Sequence, residues 1–198
     1  MFTGLVEATG TIISFDPIEG GARLVLDIPF ASELALGDSV ATNGCCLTVD
    51  SIDGNHVSFD LLIQTMNVTS LGVLTVGQKV NLERAMSGTA RFGGHFVMGH
   101  VDGKGLVTDL SPVGQDHRLE VQIPEELAKY CIDKGSITID GMSLTIANLK
   151  HNVLEFWITP HTFSCTNLSE MKIGAYVNIE VDMLAKYVEK LFAEKYAQ

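Results

Sequence analysis

Along residues 4–14 apolar and polar positions alternate and β-branched side chains are frequent, a period of two that predicts a strand with one buried face. Asp16-Pro17 and Gly20-Gly21 predict a turn, after which residues 22–28 alternate again. Beyond Pro29 a short helical turn is expected over residues 31–36, leading into a strand at Ser39–Thr42. Asn43-Gly44, flanked by apolar residues, has the composition of a tight hairpin turn. Residues 46–52 and His56–Leu62 are strands joined across Asp53-Gly54, and Lys79–Arg84 closes the series. About six short strands with turn residues at regular intervals predict a small antiparallel barrel or sandwich.

The same order is then written again. The offset that carries Asn43-Gly44-Cys45-Cys46-Leu47-Thr48-Val49 onto Asp140-Gly141-Met142-Ser143-Leu144-Thr145-Ile146 also carries Thr65 onto Thr162 and Leu71 onto Leu168. It carries Val80-Asn81-Leu82-Glu83 onto Val177-Asn178-Ile179-Glu180 as well. Toward the N-terminus it drifts by two, so that Gly4-Leu5-Val6-Glu7 meets Gly99-His100-Val101-Asp102. Two copies of roughly 90 to 95 residues mean two similar domains, since solenoid repeats run to about 20 to 50 residues. The expected units are residues 1–90, which include a polar, Gly-containing linker beginning at Ala85, then residues 91–183 and 184–198. In the last unit Leu184, Tyr187, Val188, Leu191, Phe192 and Tyr196 recur at helical spacing among Lys and Glu, an amphipathic helix that packs on its own barrels or serves self-association.

Positions that differ between copies are the informative ones, because shared positions could simply maintain a shared fold. Cys46 faces Ser143, Leu5 faces His100, Asn43 faces Asp140 and Ala85 faces Asp182. Two pockets of one shape and different chemistry are implied. Ser143 with Thr145, and Cys46 with Thr48, sit two apart, so on a strand each pair points to one face, where hydroxyls suit a heterocycle or polyol. Threonine also simply favours strands, and a cysteine is often a small buried hydrophobe. His95 and His100 lie in a glycine-rich segment that lets backbone approach a ligand closely. They lack the glutamate and the helical spacing of a zinc motif, and no metal is expected. Asp182 precedes the terminal helix and either caps it or reaches into a pocket, while Lys134 and Asp140 flank the second hairpin.

Composition narrows the class. The chain has 198 residues, 46% of them hydrophobic and 19% charged, as in an ordinary globular protein. A net charge of −11 argues against a nucleic-acid surface. The first basic residue is Arg23 and no apolar run approaches the roughly 20 residues of a membrane span, so neither a secretion leader nor membrane association is expected. Four cysteines without metal-site spacing, two of them adjacent, are read as reduced thiols of a cytoplasmic protein.

Several segments in one order carry a resemblance: Met1-Phe2-Thr3-Gly4, residues 43–49, Asn81-Leu82-Glu83-Arg84, and residues 93–103 with both histidines. Lys134-Gly135-Ser136, Asp140-Gly141, Ser143-Leu144-Thr145, Pro160-His161-Thr162 and residues 177–187 complete the set. Over its full length the chain resembles the riboflavin synthase family, built from two lumazine-binding repeats. The resemblance implies a mostly β fold of two tandem six-stranded antiparallel Greek-key-type barrels followed by a C-terminal α-helix, with that helix holding a homotrimer. It implies a transferase that needs no cofactor and dismutates two molecules of 6,7-dimethyl-8-ribityllumazine per site. A four-carbon unit passes between them, giving riboflavin and 5-amino-6-ribitylamino-pyrimidinedione, at a site between the first barrel of one chain and the second barrel of a neighbour. Lumazine synthase is a candidate partner.

By the same resemblance His100, Ser143 and Asp182 assist deprotonation of the C7 methyl of one lumazine, and Cys46 stands beside the other. First-barrel walls would be Gly4, Leu5, Val6, Cys46, Leu47, Thr48, Asp60, Leu61, Leu62, Ile63, Gln64 and Thr65. Second-barrel walls would be Gly99, His100, Val101, Lys134, Ser143, Leu144, Thr145, Thr159, Pro160, His161, Thr162, Phe163 and Ser164, with Ser39 and Asp140 as further candidates. Met98 stands where many members have serine, Asn167 where threonine is common, and Cys165 where a β-branched residue is expected. Lumazine-holding antenna proteins share both repeats without the reaction. Their expected mark is loss of the second histidine motif and the terminal aspartate, and this chain keeps His95, His100, Ser143 and Asp182. A flavin-binding barrel of an oxidoreductase would be followed by a nucleotide-binding α/β domain, where only one helix is predicted here.

Overall fold

The computed structural model describes residues 1–196, and side chains up to residue 193. The first repeat forms β1 (Ala8–Ile18), β2 (Gly21–Asp27), β3 (Ser39–Thr42), β4 (Cys45–Thr48), β5 (Ser51–Asp53), β6 (His56–Leu62) and β7 (Lys79–Arg84), with α1 (Ile63–Val68) after β6. All pairings are antiparallel, in the order β4-β3-β7-β1-β2-β6-β5. The two ends of that order are halves of one stretch. β4 lies against β3, the chain bends at Val49-Asp50, Asp50 N donates to the Ser58 carbonyl (2.9 Å), and β5 continues along β6. The ring closes through this bend, so the six strands expected from the pattern appear as seven segments. Closure leaves only short stretches of strand edge that could pair with other chains.

The second repeat builds the same ring from β8 (Gly103–Val113), β9 (Asp116–Gln122), β10 (Ser136–Ile139), β11 (Met142–Thr145), β12 (Asn148–Lys150), β13 (Val153–Ile158) and β14 (Tyr176–Val181), in the order β11-β10-β14-β8-β9-β13-β12. It also carries α2 (Glu125–Ala128) and α3 (Pro160–Cys165), and α4 (Met183–Tyr196) ends the described chain. Alternate residues point inward. Leu24, Leu26, Val57, Phe59 and Leu61 fill the first barrel, and Leu119, Val121, Leu154, Phe156 and Ile158 the second. Each such side chain contributes about 1.5–3 kcal/mol on burial.

Two expectations change. Asp16-Pro17 is not a turn: β1 runs through it to Ile18, with Pro17 opposite Ala22. β7 pairs with β1 only over residues 8–11, so the far end of β1 has a free edge on which a missing N–H costs little. Residues 4–7 are likewise not strand; they form a lead-in that crosses to the other repeat.

The two barrels meet about a local two-fold. Phe2 and Val97 exchange N–H···O bonds of 2.8 and 3.2 Å. Asn81 Nδ2 donates to the Asp140 carbonyl (2.9 Å), and its counterpart Asn178 donates through Nδ2 to the Asn43 carbonyl (2.8 Å). Asn43 and Asp140 both hold the left-handed conformation (φ 44 for each), and Gly44 and Gly141 lie back to back on the axis. Asp140 is therefore buried in an inter-barrel clasp. Its Oδ1 accepts from Asn178 N (2.7 Å) and its Oδ2 from Asn167 Nδ2 (2.8 Å).

Burial pushes the Asp140 carboxyl up to about 7, against the backbone and side-chain donors that favour its charge. The folded protein thus holds this proton more tightly than the unfolded chain, whose carboxyl titrates near ~3.9. The contribution is full below pH about 4 and is lost as pH rises through about 7. Urea unfolding from pH 5 to 8 should find Asp140→Asn with a flatter fall in stability than the parent, the two curves diverging by about 1 kcal/mol per pH unit at most. Parallel curves would place the proton elsewhere.

On α4, Lys186 Nζ reaches Asp102 Oδ1 (2.6 Å) and Glu189 accepts from Lys129 and Tyr130, so the polar side of the helix faces its own second barrel. Leu184, Tyr187, Val188 and Leu191 on the stripe are exposed within the chain. The side chain of Tyr196 and residues 197–198, which the expected tail includes, lie outside the described part of the chain. No described helix is long and apolar enough to cross a membrane.

Candidate active site

On β4 Cys45 and Leu47 point into the barrel and Cys46 and Thr48 point out; on β11 Met142 is buried while Ser143 and Thr145 face outward. Burial pushes the Cys45 thiol up to about 12, with the neighbouring Cys46 and Glu180 adding to the effect, so Cys45 is an inert core residue. Each outward face is met by the lead-in of the other repeat. Ser143 N donates to the Gly4 carbonyl (2.7 Å) and Cys46 N to the Gly99 carbonyl (2.8 Å). A Cβ on Gly4 would stand 2.6 Å from Ser143 Cβ, and one on Gly99 2.6 Å from Cys46 Cβ. Both glycines also have positive φ (+78 and +77), so no other residue fits. Val6 packs on the second core and Val101 on the first, which completes the exchange.

Two buried glutamates hold the lead-ins. Glu83 accepts from Thr3 N (2.7 Å), Thr3 Oγ1 (2.9 Å) and Gly4 N (3.0 Å). Glu180 accepts from Met98 N (2.7 Å) through Oε1 and from Gly99 N (2.9 Å) and His100 N (3.1 Å) through Oε2. Burial raises both carboxyls, and the backbone donors pull them back.

The histidine in contact with Ser143 is His95. Its Nδ1 lies 2.7 Å from Ser143 Oγ and its Nε2 3.2 Å from Thr138 Oγ1. Burial pushes the imidazole down, with the charge of Asp182 acting the other way, which leaves it neutral at neutral pH. With Nε2–H donating to Thr138, Nδ1 accepts the Ser143 hydroxyl, and both bonds form at once. Of the two roles left open by the sequence, Asp182 takes the cap: Oδ1 accepts from Leu184 N (2.9 Å), and its charge acts on His95. His100 is exposed and sits beside the Cys46 face, through Gly99.

Beyond the bend of the second barrel an outer recess of about 260 Å³ is lined by Lys134, Ser143, Leu144, Thr145, Ala147, Phe156 and Trp157. Lys134 holds φ 66 and its Nζ donates to the Ala147 carbonyl (3.0 Å). On the first barrel, Leu5 and Ser39 line a cleft of about 530 Å³ with Thr3, Glu83, Arg84 and Ala85.

Other expected wall residues line neither of these two recesses. Leu61, 2% exposed, points into the core, because the period of two that turns Asp60 and Leu62 outward turns Leu61 inward. Asp60 is bound by Arg23 (2.8 Å), while Leu62, Ile63 and Gln64 are exposed and Thr65, on α1, accepts from Thr69 through its carbonyl. Thr159 caps α3, with Pro160 in its first turn and Thr162 N donating to Thr159 Oγ1. His161 and Ser164 are exposed on that helix, and Phe163 stacks on His117 at 3.7 Å. Two residues missed by the sequence reading of the walls are His95 and Trp157. The second was signalled by the offset that places it opposite Asp60.

A lumazine binding domain model matches residues 3–85 and again 98–182. The riboflavin synthase of Bacillus subtilis is 44% identical over 95% of this chain and 88% of that protein. That of Mycobacterium tuberculosis is 39% identical over 96% of this chain and 98% of that protein. A crystal structure of LumP complexed with riboflavin superposes with a TM-score of 0.86 at 27% identity, covering 91% of this chain and 99% of LumP. LumP complexed with 6,7-dimethyl-8-(1'-D-ribityl) lumazine gives a TM-score of 0.84 over the same shares. Tandem barrels matched repeat by repeat, and relatives matched end to end, lead to one statement: the chain belongs to the riboflavin synthase family, with two lumazine binding domains.

Proposed function

We infer that this protein is a riboflavin synthase, a cytoplasmic transferase that converts two molecules of 6,7-dimethyl-8-ribityllumazine into riboflavin and 5-amino-6-ribitylamino-pyrimidinedione. The observation that carries the reading is the inequality of two equivalent faces, Cys46 beside Gly99-His100 and Ser143 beside His95, on which the charge of Asp182 acts. A reaction between two identical molecules needs two similar pockets, and holding both in register supplies much of the rate. One molecule must give carbons and the other take them, so the pockets must differ.

In this reading the Ser143–His95–Asp182 cluster and His100 take a proton from the C7 methyl of one lumazine and stabilise the anion. Cys46 positions the acceptor. Beyond the lead-ins each face stays exposed in a single chain at Thr48 and Thr145, which supports a site completed between the first barrel of one chain and the second barrel of another. The exposed stripe on α4 supports a homotrimer built on that helix, and lumazine synthase is the partner to test by co-sedimentation.

The test is to mix the purified protein with 6,7-dimethyl-8-ribityllumazine alone, adding no metal or nicotinamide, and follow absorbance for one riboflavin per two substrates consumed. Tight binding with a stable lumazine spectrum would overturn the reading in favour of a carrier. Asp182→Asn keeps the α4 cap, since asparagine caps as well as aspartate, and removes the charge. Turnover should fall by about tenfold or more with melting temperature unchanged; normal turnover would remove Asp182 from the chemistry.

A further inference from the structure

Trp157 is the chain's one tryptophan, and it occupies an unusual place for so large an apolar ring. It points outward from β13 between buried Phe156 and Ile158, is 50% exposed, and forms one wall of the recess that holds Ser143 and Thr145. Arg118, opposite it in the ladder, is occupied by Asp109, with Nε and Nη2 donating to Oδ2 at 3.0 and 2.9 Å. The ring's face is thus left to the recess. Lys134 keeps a side chain in the left-handed conformation (φ 66) where the first repeat has Gly37 (φ 86), and its bond to the Ala147 carbonyl fixes the rim of the same recess. A non-glycine residue held at positive φ beside a pocket points to function.

The first barrel has nothing of the kind. The residue equivalent to Trp157 is Asp60, whose carboxylate takes two bonds from Arg23, at 2.8 Å each, while Arg23 also binds Asp50. A closed ion cluster covers the surface where the second barrel offers a π-face.

We propose that Trp157 is the stacking wall for the planar ring in the second barrel, and that this makes the second-barrel pocket the tighter of the two and the first to fill. The inference rests on the reading above that these pockets take lumazine and flavin. Stacking suits a fused heterocycle of either kind, because it needs only a flat π-surface. Thr145 and Ser143 then address the polar edge of the ring.

Riboflavin is the probe, since it is not consumed when alone. Titrated into the native oligomer, it should quench the single tryptophan as the tight class of sites fills, before the weak class does. Read by the quenching of riboflavin's own fluorescence, which needs no tryptophan, Trp157→Asp, which copies the first barrel, should weaken the tight class about tenfold or more, and Trp157→Phe should restore most of it. In turnover, Trp157→Asp should raise KM with little change in kcat, as expected of a positioning residue. The side chain is half out of the barrel, so circular dichroism and melting should match the parent. Tryptophan emission unchanged at saturation, or a tight class unaltered in Trp157→Asp, would overturn the proposal. A parent that binds and quenches but forms no riboflavin would instead overturn the enzymatic reading and leave the stacking wall standing.

Discussion

Glu180→Gln will lower turnover by about a hundredfold or more while the barrels still fold. The carboxylate accepts three backbone N–H groups, from Met98, Gly99 and His100, at 2.7 to 3.1 Å. A glutamine has one acceptor oxygen, so its NH2 must face at least one of these donors. Two donors cannot share that space, and the lead-in has to move. The same lead-in carries Gly99, packed on Cys46, and His100, so the Cys46 face of the proposed site shifts out of register with the Ser143 face. A displacement near 1 Å is enough for a loss of about 10²-fold when reacting groups must stay in register. The buried donors left unpaired cost about 1–3 kcal/mol each in stability. Steady-state kinetics and amide hydrogen exchange at residues 98–100 check this; turnover within threefold of the parent, with those amides still protected, would show the lead-in held by other means. Glu83→Gln frees Thr3 and Gly4 and disturbs the Ser143 side instead, a second route to the same comparison.

Features that obey a local period were legible in the sequence. Alternation gave the strands and put Cys46 with Thr48, and Ser143 with Thr145, on one face each, and the duplication paired each with its counterpart. Even Leu61, assigned to a pocket wall, was decidable by that rule, because Phe59 and Leu61 share the inward parity. The bend that splits residues 45–53 between two neighbours was not decidable. It depends on where the ring meets itself, a property of the whole sheet. Nor could the choice between His95 and His100 be made locally. Both lie in a glycine-rich segment without periodicity, and the one that reaches Ser143 is placed by its backbone bond to Thr3 and its ring contact with Thr138, both far along the chain. The surroundings of Asp140, a pocket candidate beside a hairpin, were not decidable for the same reason: only the second barrel's position against the first turns it into a buried clasp. The repeated Glu83 and Glu180 were visible as a motif, but their partners are backbone amides, which leave no mark in sequence.

Gly44→Ala and Gly141→Ala will each destabilise the protein by about 3 kcal/mol, well beyond what a turn glycine costs. A hairpin turn at Asn43-Gly44 requires only positive φ, and both glycines have it, at +75 and +80. Placing alanine there costs about 1–2 kcal/mol. The structure adds a second term. A Cβ on Gly44 would lie 2.7 Å from Gly141 N and 3.0 Å from Gly141 Cα, and one on Gly141 would lie 2.8 Å from Gly44 N. The atoms met are backbone, so no rotamer relieves the clash and the barrels must part. Parting stretches the bonds from Asn81 to the Asp140 carbonyl and from Asn178 to the Asn43 carbonyl, which lie beside the contact. Gly20→Ala separates the two terms, since Gly20 has φ +82 and nothing within 4 Å of an added Cβ. In urea unfolding it should show the backbone cost alone. Equal losses at Gly20 and Gly44 would mean that the barrels move apart freely, and that the two-fold contact holds no stability of its own. A larger loss at Gly44 and Gly141 would establish the repeated dipeptide as the hinge point on which the two unequal faces are aligned.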